Sequence, residues 1–443
     1  MRKPFLLVAT VSCALVLPAK DFSIRDFGAK GDGMADDTAA VQHTIDACAA
    51  AGGGRVVVEK GVYRIRPVML ASDIDLHLAG GAKLLGSGDW RDYPNRGNLK
   101  KVVGSKMPLG RDSALITADG ARNVSITGNG VIDGNGRSFM RELTVEEWKD
   151  GLDLGFKYRI VYPHWGRWRF VRIGDLDQAP GRTILLTGCT DVTVRDVTLE
   201  DSAVWGYLVN DCDRVTFDNC KVFNQIYSEG TDGIHVNSSR DVTISNCTIE
   251  SGDDALCFRA SNQYNPEKRA CERVTVVNCR LRSHANCIRL GWERDGVVRD
   301  CTFSNVVMHD SWRGINVWIN PPTNYTAVCR GDETSLVENV VFSNIVMDRI
   351  YRMPITVQVH DYAGVKEDAV RNLTFANITA RSYLGLEFMG CENRPLRNFT
   401  FIGCRFTRDA GVKYEWDKTA FRPFAAPYCC RDFKFDSCEF EDR

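Results

Sequence analysis

From Asn123 onward the chain returns repeatedly to one order of apolar and polar positions. It reads NVSITGNGVI at Asn123, DVTVRDVTL at Asp191, RVTFDNCKV at Arg214, DVTISNCTI at Asp241 and RVTVVNCRL at Arg273. It continues with VVRDCTF at Val297, NVVFSNIVM at Asn339, NLTFANITA at Asn372, NFTFIGCRF at Asn398 and DFKFDSCEF at Asp432. In each unit apolar residues alternate with polar ones, a turn falls at Asn, Asp or Gly, and a second alternating stretch follows. Alternation with a period of two marks strands, and the Asn and Gly positions mark turns. The units recur at intervals of roughly 20 to 45 residues, the range of solenoid repeats.

Short strands at this spacing, with no helices between them and few hairpin turns, predict an all-β solenoid, a β-helix. Each coil then stacks on its neighbour, with like residues above like. Cys220, Cys247, Cys279 and Cys301 each follow the turn residue at the same place in the unit, which predicts a mostly reduced internal stack, since free Cys buries as a small hydrophobe. Cys391, Cys404, Cys429, Cys430 and Cys438 fall off that stack or at its end, where disulfides remain open. A solenoid needs caps, and Asp36 to Ala51 reads as one N-terminal capping helix, with Asp36 or Asp37 as N-cap and Gly52-Gly53-Gly54 as its stop.

Two segments depart from the repeat. Residues 1–19 have a basic start at Arg2 and Lys3, an apolar run from Phe5 to Leu17 too short to span a bilayer, and a cleavage point near Pro18-Ala19. They read as a secretory signal, which predicts a secreted or periplasmic protein with no membrane segment once the signal is removed. Residues 20–443 are then one β-helix domain. An aromatic-rich insertion at about 138–178 carries Trp148, Tyr158, Tyr162, His164, Trp165 and Trp168, placed either to line a groove or to pack the loop onto the body. The charge balance, Lys+Arg 56 against Asp+Glu 57, gives no reason to expect nucleic acid or an anionic membrane as partner.

The candidate chemistry lies in GTDGIHV and ESGDDALCF. Asp232 stands in the loop leading into one strand, and Asp253 and Asp254 occupy the matching loop one coil on. Coils stack about 4.8 Å apart, so the three carboxylates are expected on one outer face. Three such groups cannot all ionise freely, and at least one pKa should rise. An acid held protonated beside ionised bases is what inverting glycoside hydrolysis requires. Solvated turn carboxylates or a Ca²⁺ site are the simpler readings, but Ca²⁺ needs more oxygen ligands than the stretch offers.

GTDGIHVNSSRDVTISNCTIESGDD resembles the polygalacturonase family, glycoside hydrolase family 28, in which N-T-D-G-I is followed one coil later by G-D-D. The resemblance extends from FGAKGDGMADDT through the repeats. It implies a right-handed parallel β-helix that hydrolyses pectin backbones with inversion, without metal or organic cofactor, as a monomer acting on a polysaccharide or oligosaccharide. It also implies Asp253 as general acid, with Asp232 and Asp254 placing and activating water.

Two family motifs are altered. G-H-G-I-x-I-G becomes ANCIRLG, with Asn286 at the histidine position and His284 two residues earlier, on the same face if the strand is regular. R-I-K becomes Gly314-Ile315-Asn316, with Arg313 displaced by one. In polygalacturonases that Arg and Lys hold the substrate carboxylate. The other candidate substrate contacts follow from counting along the strands. His235, Cys257, Arg289 and Asn316 align across four coils facing outward, Arg259 lies two beyond Cys257, and Arg289 interrupts an apolar strand beside the expected cleft. A guanidinium there would bind an acidic sugar bidentately. Trp205 and Trp292 are aromatic candidates for the cleft. The alternatives are a non-catalytic glycan-binding β-helix and a uronan lyase or epimerase. The latter needs a base near the C5 proton for which no Lys or Tyr is evidently placed.

Overall fold

The computed structural model describes residues 20–93, 113–144, 170–173, 180–228, 230–261, 269–292, 295–319, 335–360, 368–409 and 428–443. The signal stretch and all six aromatic residues named in the insertion lie outside them. The chain winds as a right-handed parallel β-helix, so the expected fold is the observed one. Ten strands form one sheet: Val68–Leu70, Ala114–Asp119, Arg182–Thr187, Trp205–Asn210, Ile234–Asn237, Leu256–Arg259, Asn286–Leu290, Arg313–Ile319, Ile355–Val359 and Glu387–Met389. The remaining coil faces join in a larger parallel sheet, because the strands Val297–Ser311 and Leu336–Ile350 run through two faces without a break. The only antiparallel strand pair among the described residues is Met140–Glu142 with Phe170–Arg172.

The repeat is a consequence of the corners. Asn123, Asp191, Arg214, Asp241, Arg273, Asp300, Asn339, Asn372, Asn398 and Asp432 all have left-handed backbone, with φ between 53° and 58°. Asn219, Asn246, Asn278, Asn305, Asn344 and Asn377 repeat the conformation at the next corner. Asn and Asp tolerate this region best among residues with a side chain, which is why they punctuate the units. The unit read at Val297 is framed by these corners: it starts at Asp300, whose strand neighbours Glu272↔Arg299 and Val274↔Cys301 are in register.

That frame corrects the cysteine stack. Cys220, Cys247 and Cys279 precede the paired residues Lys221, Thr248 and Arg280 and so share one inner column. Cys301 follows the other corner and sits over Val274. The two corners of a coil both place an inward residue after a left-handed one, so they look alike in the sequence. Cys404 and Cys438, placed off the stack or at its end by the sequence, precede the paired Arg405 and Glu439 and belong to the same column further along. Every cysteine among the described residues is free.

The capping helix runs from Thr38 to Ala50. Its N-cap is Asp37, whose carboxylate is turned away to accept the N–H groups of Lys30 and Gly31 (2.7 and 3.1 Å). Ala40, Val41, Ile45 and Cys48 are buried against the first coils and close that end of the core. No helix among the described residues is long and apolar enough to cross a membrane.

Candidate active site

The site is built on the N-terminal ends of the ten-stranded sheet. Ile234 pairs with Leu256 and Leu256 with Ile288, so Asp232, Asp254 and Asn286, each two residues earlier, hold the same place on three consecutive coils. Asp253 stands beside Asp254 at the corner. Gly252 packs under it: a Cβ there would lie 2.1 Å from Ser228 O, so only glycine lets the two coils approach this closely. Ser251 and Ser283, in register, both donate to the Asp253 carbonyl at 2.7 Å. Asn224 donates to the carbonyls of Thr231 and Asp232 (3.3 and 3.0 Å). The corners carrying the carboxylates are therefore cross-braced.

Asp232 and Asp254 are buried, while Asp253 is half-buried and accepts the N–H of Gly230 and of Asp254 (3.1 and 3.0 Å). Burial, then the charges of Asp253 and Asp254, hold the Asp232 carboxyl well above the usual range, against Arg289 and Arg182. Burial likewise lifts Asp254 to about 6, with Arg289 pulling it down, Asp253 pushing it up and the Asn286 hydrogen bond lowering it. Asp232 and Asp254 are both raised, so a proton retained here belongs to that buried pair.

Arg289 lies against this cluster. Its Nε is 2.7 Å from Asp254 Oδ2, its Nε–H and Nη2–H point at Cys257 Sγ (3.4 and 3.3 Å), and its guanidinium covers the Trp292 ring at 4.5 Å. Only 12% of its side chain is exposed, so the outward cation expected at the surface is instead committed to Asp254. His235, Cys257, Arg289 and Asn316 do pair in register along the outer face. His235 Nδ1 is 3.2 Å from Asp232 Oδ2 and Nε2 is 3.8 Å from Cys257 Sγ. Burial and the cations Arg259, Arg289 and Arg182 push its pKa well below the usual value, so the ring is neutral.

The altered motifs now have a physical description. Asn286 Nδ2 donates to Asp254 Oδ1 at 2.6 Å, and Asn316 Nδ2 donates to Asn286 Oδ1 at 3.0 Å. The histidine and lysine positions of the family are thus occupied by a neutral ladder behind Asp254. At Gly314 a Cβ would lie 2.5 Å from Pro354 O and 2.6 Å from Met347 Sδ, so an arginine cannot stand there. Arg313 is half-buried and pairs in register with Asn286.

Two expected contacts are placed elsewhere. Arg259 Nε binds both oxygens of Asp295 (3.1 and 3.0 Å) in a buried pair, because the strand Leu256–Arg259 ends against the segment carrying Asp295. His284 lies in the corner before the strand Asn286–Leu290, buried with its ring edge-on to Tyr227 at 5.3 Å, and so does not share the strand face. Trp205 has both ring faces covered, by the Arg182 guanidinium (4.2 Å) and by the His235 ring (4.1 Å), which leaves no face for a sugar. Sequence reasoning missed Arg182. The signal was available: Arg182 is two residues before Ile184, as Asp232 is before Ile234, and the intervening strand is in register.

The ligand atoms of Asp232, His235 and Cys257 lie within 4.8 Å of one another, a donor set suited to a soft or borderline metal. The surroundings oppose one. Burial pushes the Cys257 thiol far up, so it stays protonated, and Arg289, Arg259 and Arg182 all face the cluster. A divalent cation there would meet three guanidinium groups.

A parallel β-helix with carboxylates from two consecutive coils converging on its outer face defines a carbohydrate-active β-helix protein. The chain belongs to Glycosyl hydrolases family 28, which it matches over residues 172–408, more than half its length, and residues 22–108 match Rhamnogalacturonase A/epimerase, pectate lyase-like. It is 23% identical over 433 residues to an exo-poly-alpha-D-galacturonosidase of Dickeya chrysanthemi, covering 89% of this chain and 68% of that protein. Its fold is similar to the family 28 exopolygalacturonase of Yersinia enterocolitica (TM-score 0.70, 21% identity, 96% of this chain and 76% of that one). It is also similar to a hyperthermoactive exopolygalacturonase of Thermotoga maritima (TM-score 0.66, 21% identity, 88% of each chain). The chain is therefore a glycoside hydrolase.

Proposed function

We propose that this glycoside hydrolase cleaves pectin-like or other acidic glycans with inversion, using Asp253 as the proton donor to the leaving oxygen and Asp232 with Asp254 as the groups that place and activate water. The observation that carries this reading is the contrast within the trio: Asp232 and Asp254 are buried and bridged to His235 and Arg289 respectively, whereas Asp253 is half-buried and so partly open to solvent. The names of the relatives, galacturonosidase and exopolygalacturonase, support the substrate class. The neutral Asn286–Asn316 ladder and the closed Gly314 position support a reading in which a sugar carboxylate is held by other groups than the Arg and Lys of polygalacturonases. Arg313, half-buried and in register with Asn286, is our candidate for that part. The apolar run from Phe5 to Leu17 supports export.

The test is incubation with a panel of pectic polysaccharides and oligosaccharides. Reducing ends, and a newly formed anomeric centre of inverted configuration by proton NMR at early times, are expected. An ultraviolet-absorbing unsaturated product would replace hydrolysis by elimination. Binding without any release of reducing ends would leave a glycan-binding module.

A further inference from the structure

Two carboxylates of the trio are joined by a path that the acid/base reading does not use. It runs from Asp232 Oδ2 to His235 Nδ1 (3.2 Å), from His235 Nε2 to Cys257 Sγ (3.8 Å), from Sγ to Arg289 Nε and Nη2 (3.4 and 3.3 Å), and from Nε to Asp254 Oδ2 (2.7 Å). His235 and Cys257 are fully buried. Trp205 closes one face of the imidazole. The charged groups facing the chain are Arg182 across Trp205, Arg259 with its partner Asp295, Arg289, and the carboxylates Asp253 and Asp254.

We propose that Cys257 is a positioning residue, which holds His235 in the Nδ1–H tautomer so that the ring donates to ionised Asp232, and which ties that pair to Arg289 and Asp254. The hydrogen-bond inventory supports this. A neutral imidazole has one donor and one acceptor. With Asp232 ionised, Nδ1 must carry the proton, since a lone pair would repel the carboxylate. Nε2 is then an acceptor and needs a donor. The sulfur beside it already receives two N–H groups from Arg289, so its own proton is the one left to give. Removing the S–H frees Nε2 to take the proton, turns the Nδ1 lone pair toward Asp232, and favours the protonated carboxyl. Asp232 would then require a higher pH to serve as the water-activating base.

This inference rests on the hydrolase reading, and its test separates the two. In wild type, Cys257→Ala and Cys257→Ser, kcat/KM for whichever pectic glycan wild type hydrolyses is measured against pH. The ring nitrogens of His235 are followed by ¹⁵N NMR, with the peak assigned by its loss in His235→Gln. Cys257→Ala is expected to move the acid limb up by about one pH unit, a roughly tenfold loss below the limb that recovers above it. Its His235 should leave the Nδ1–H tautomer. Cys257→Ser, which keeps an O–H donor, is expected to restore both the limb and the tautomer. An Nε2–H tautomer in wild type above the limb would overturn the proposal, and so would a Cys257→Ala variant with unchanged tautomer and pH profile. If wild type hydrolyses no glycan, the hydrolase reading fails, while the tautomer in the three proteins still decides the role of Cys257.

Discussion

One inner and one outer column of side chains in this β-helix obey the same register and hold different kinds of residue. The inner column passes through Ile126, Val194, Phe217, Ile244, Val276, Phe303, Phe342, Phe375, Phe401 and Phe435, every member in register with the next. The outer column of the ten-stranded sheet passes through Leu208, His235, Cys257, Arg289, Asn316, Thr356 and Glu387 with equally strict register. The backbone treats the two alike. Inside, a residue meets its own kind above and below, and stability is spread over equivalent layers. Outside, each coil contributes a different group, and the chemistry depends on single residues.

The sharpest way to separate the columns is to remove one atom's worth of chemistry from the outer face. Asp253→Asn is isosteric, and Asp253 is half-buried at a corner held by the Ser251 and Ser283 hydroxyls on its carbonyl. Loss of a general acid costs roughly 10²–10⁴-fold in kcat. That loss in released reducing ends, with an unchanged melting temperature, is expected. Retention of more than a tenth of wild-type kcat would move the proton donor elsewhere.

The inner column should respond in the opposite way. Phe375 is stacked between Phe342 (5.2 Å) and Phe401 (4.7 Å) with nearly parallel rings. Phe375→Ala should cost about 3–5 kcal/mol by denaturant unfolding, through lost transfer energy and a cavity. Phe435, on the last described coil, is 44% exposed. Phe435→Ala should cost under about 1 kcal/mol, since it opens no enclosed cavity. Equal costs would contradict the view that burial between coils carries the stack. Neither change should alter the pH profile of hydrolysis.

The same contrast explains what could be read from the chain. The inner columns and their corners were legible because period-two alternation and the tolerance of Asn and Asp for left-handed backbone are local properties. The capping helix was legible from its boundaries. Asp232, Asp253 and Asp254 were found because their loops precede consecutive strands. Cys301 was misassigned because two corners of one coil share a local pattern. Arg259 was placed in the cleft because Asp295, its partner, is 36 residues further along, and nothing near Arg259 in the chain announces it. Alternation sets Arg289 on the outward face beside the expected cleft, but it tells the side of a strand, not what covers it. Its burial depends on Trp292 and on carboxylates from the preceding coil.

Asp232 carries a stability cost as well as a chemical role. Its folded pKa is raised, so between the unfolded value, about 3.9, and that raised value the folded protein holds a proton the unfolded chain has released. The unfolding free energy therefore falls as pH rises through this window, and above it the whole penalty is present. Asp232→Asn stays neutral and still offers an acceptor to His235. The variant should be inactive, should match wild type in stability below about pH 4, and should exceed it increasingly as pH rises toward 8. Asp254, raised to about 6, pulls in the same direction and interacts with Asp232, so the difference reports the loss of Asp232 from the buried pair. Melting temperatures of the two proteins that stay parallel from pH 4 to 8 would show that Asp232 does not carry the raised carboxyl.

The smallest effect tests whether the repeat is set by backbone or by side-chain chemistry. Arg214 occupies a left-handed corner, φ 54°, where neighbouring coils place Asp191 and Asp241. Its guanidinium pairs with Asp191 through two contacts (2.6 and 2.9 Å), but 57% of the side chain is exposed. An exposed ion pair contributes about 0.2–1 kcal/mol and is weakened by salt. Asn at the same corner relieves the cost of left-handed backbone on a long side chain and can donate to Asp191, as Asn123 donates to Asp73 at 2.9 Å on an earlier coil. The two terms are of similar size, so Arg214→Asn should leave stability within roughly 0.5 kcal/mol at low salt. At high salt, where the ion pair of wild type is screened and the corner preference is not, the variant should become the more stable protein. If it is instead less stable under both conditions, ion pairing between coils, rather than corner conformation, selects the residue at that position.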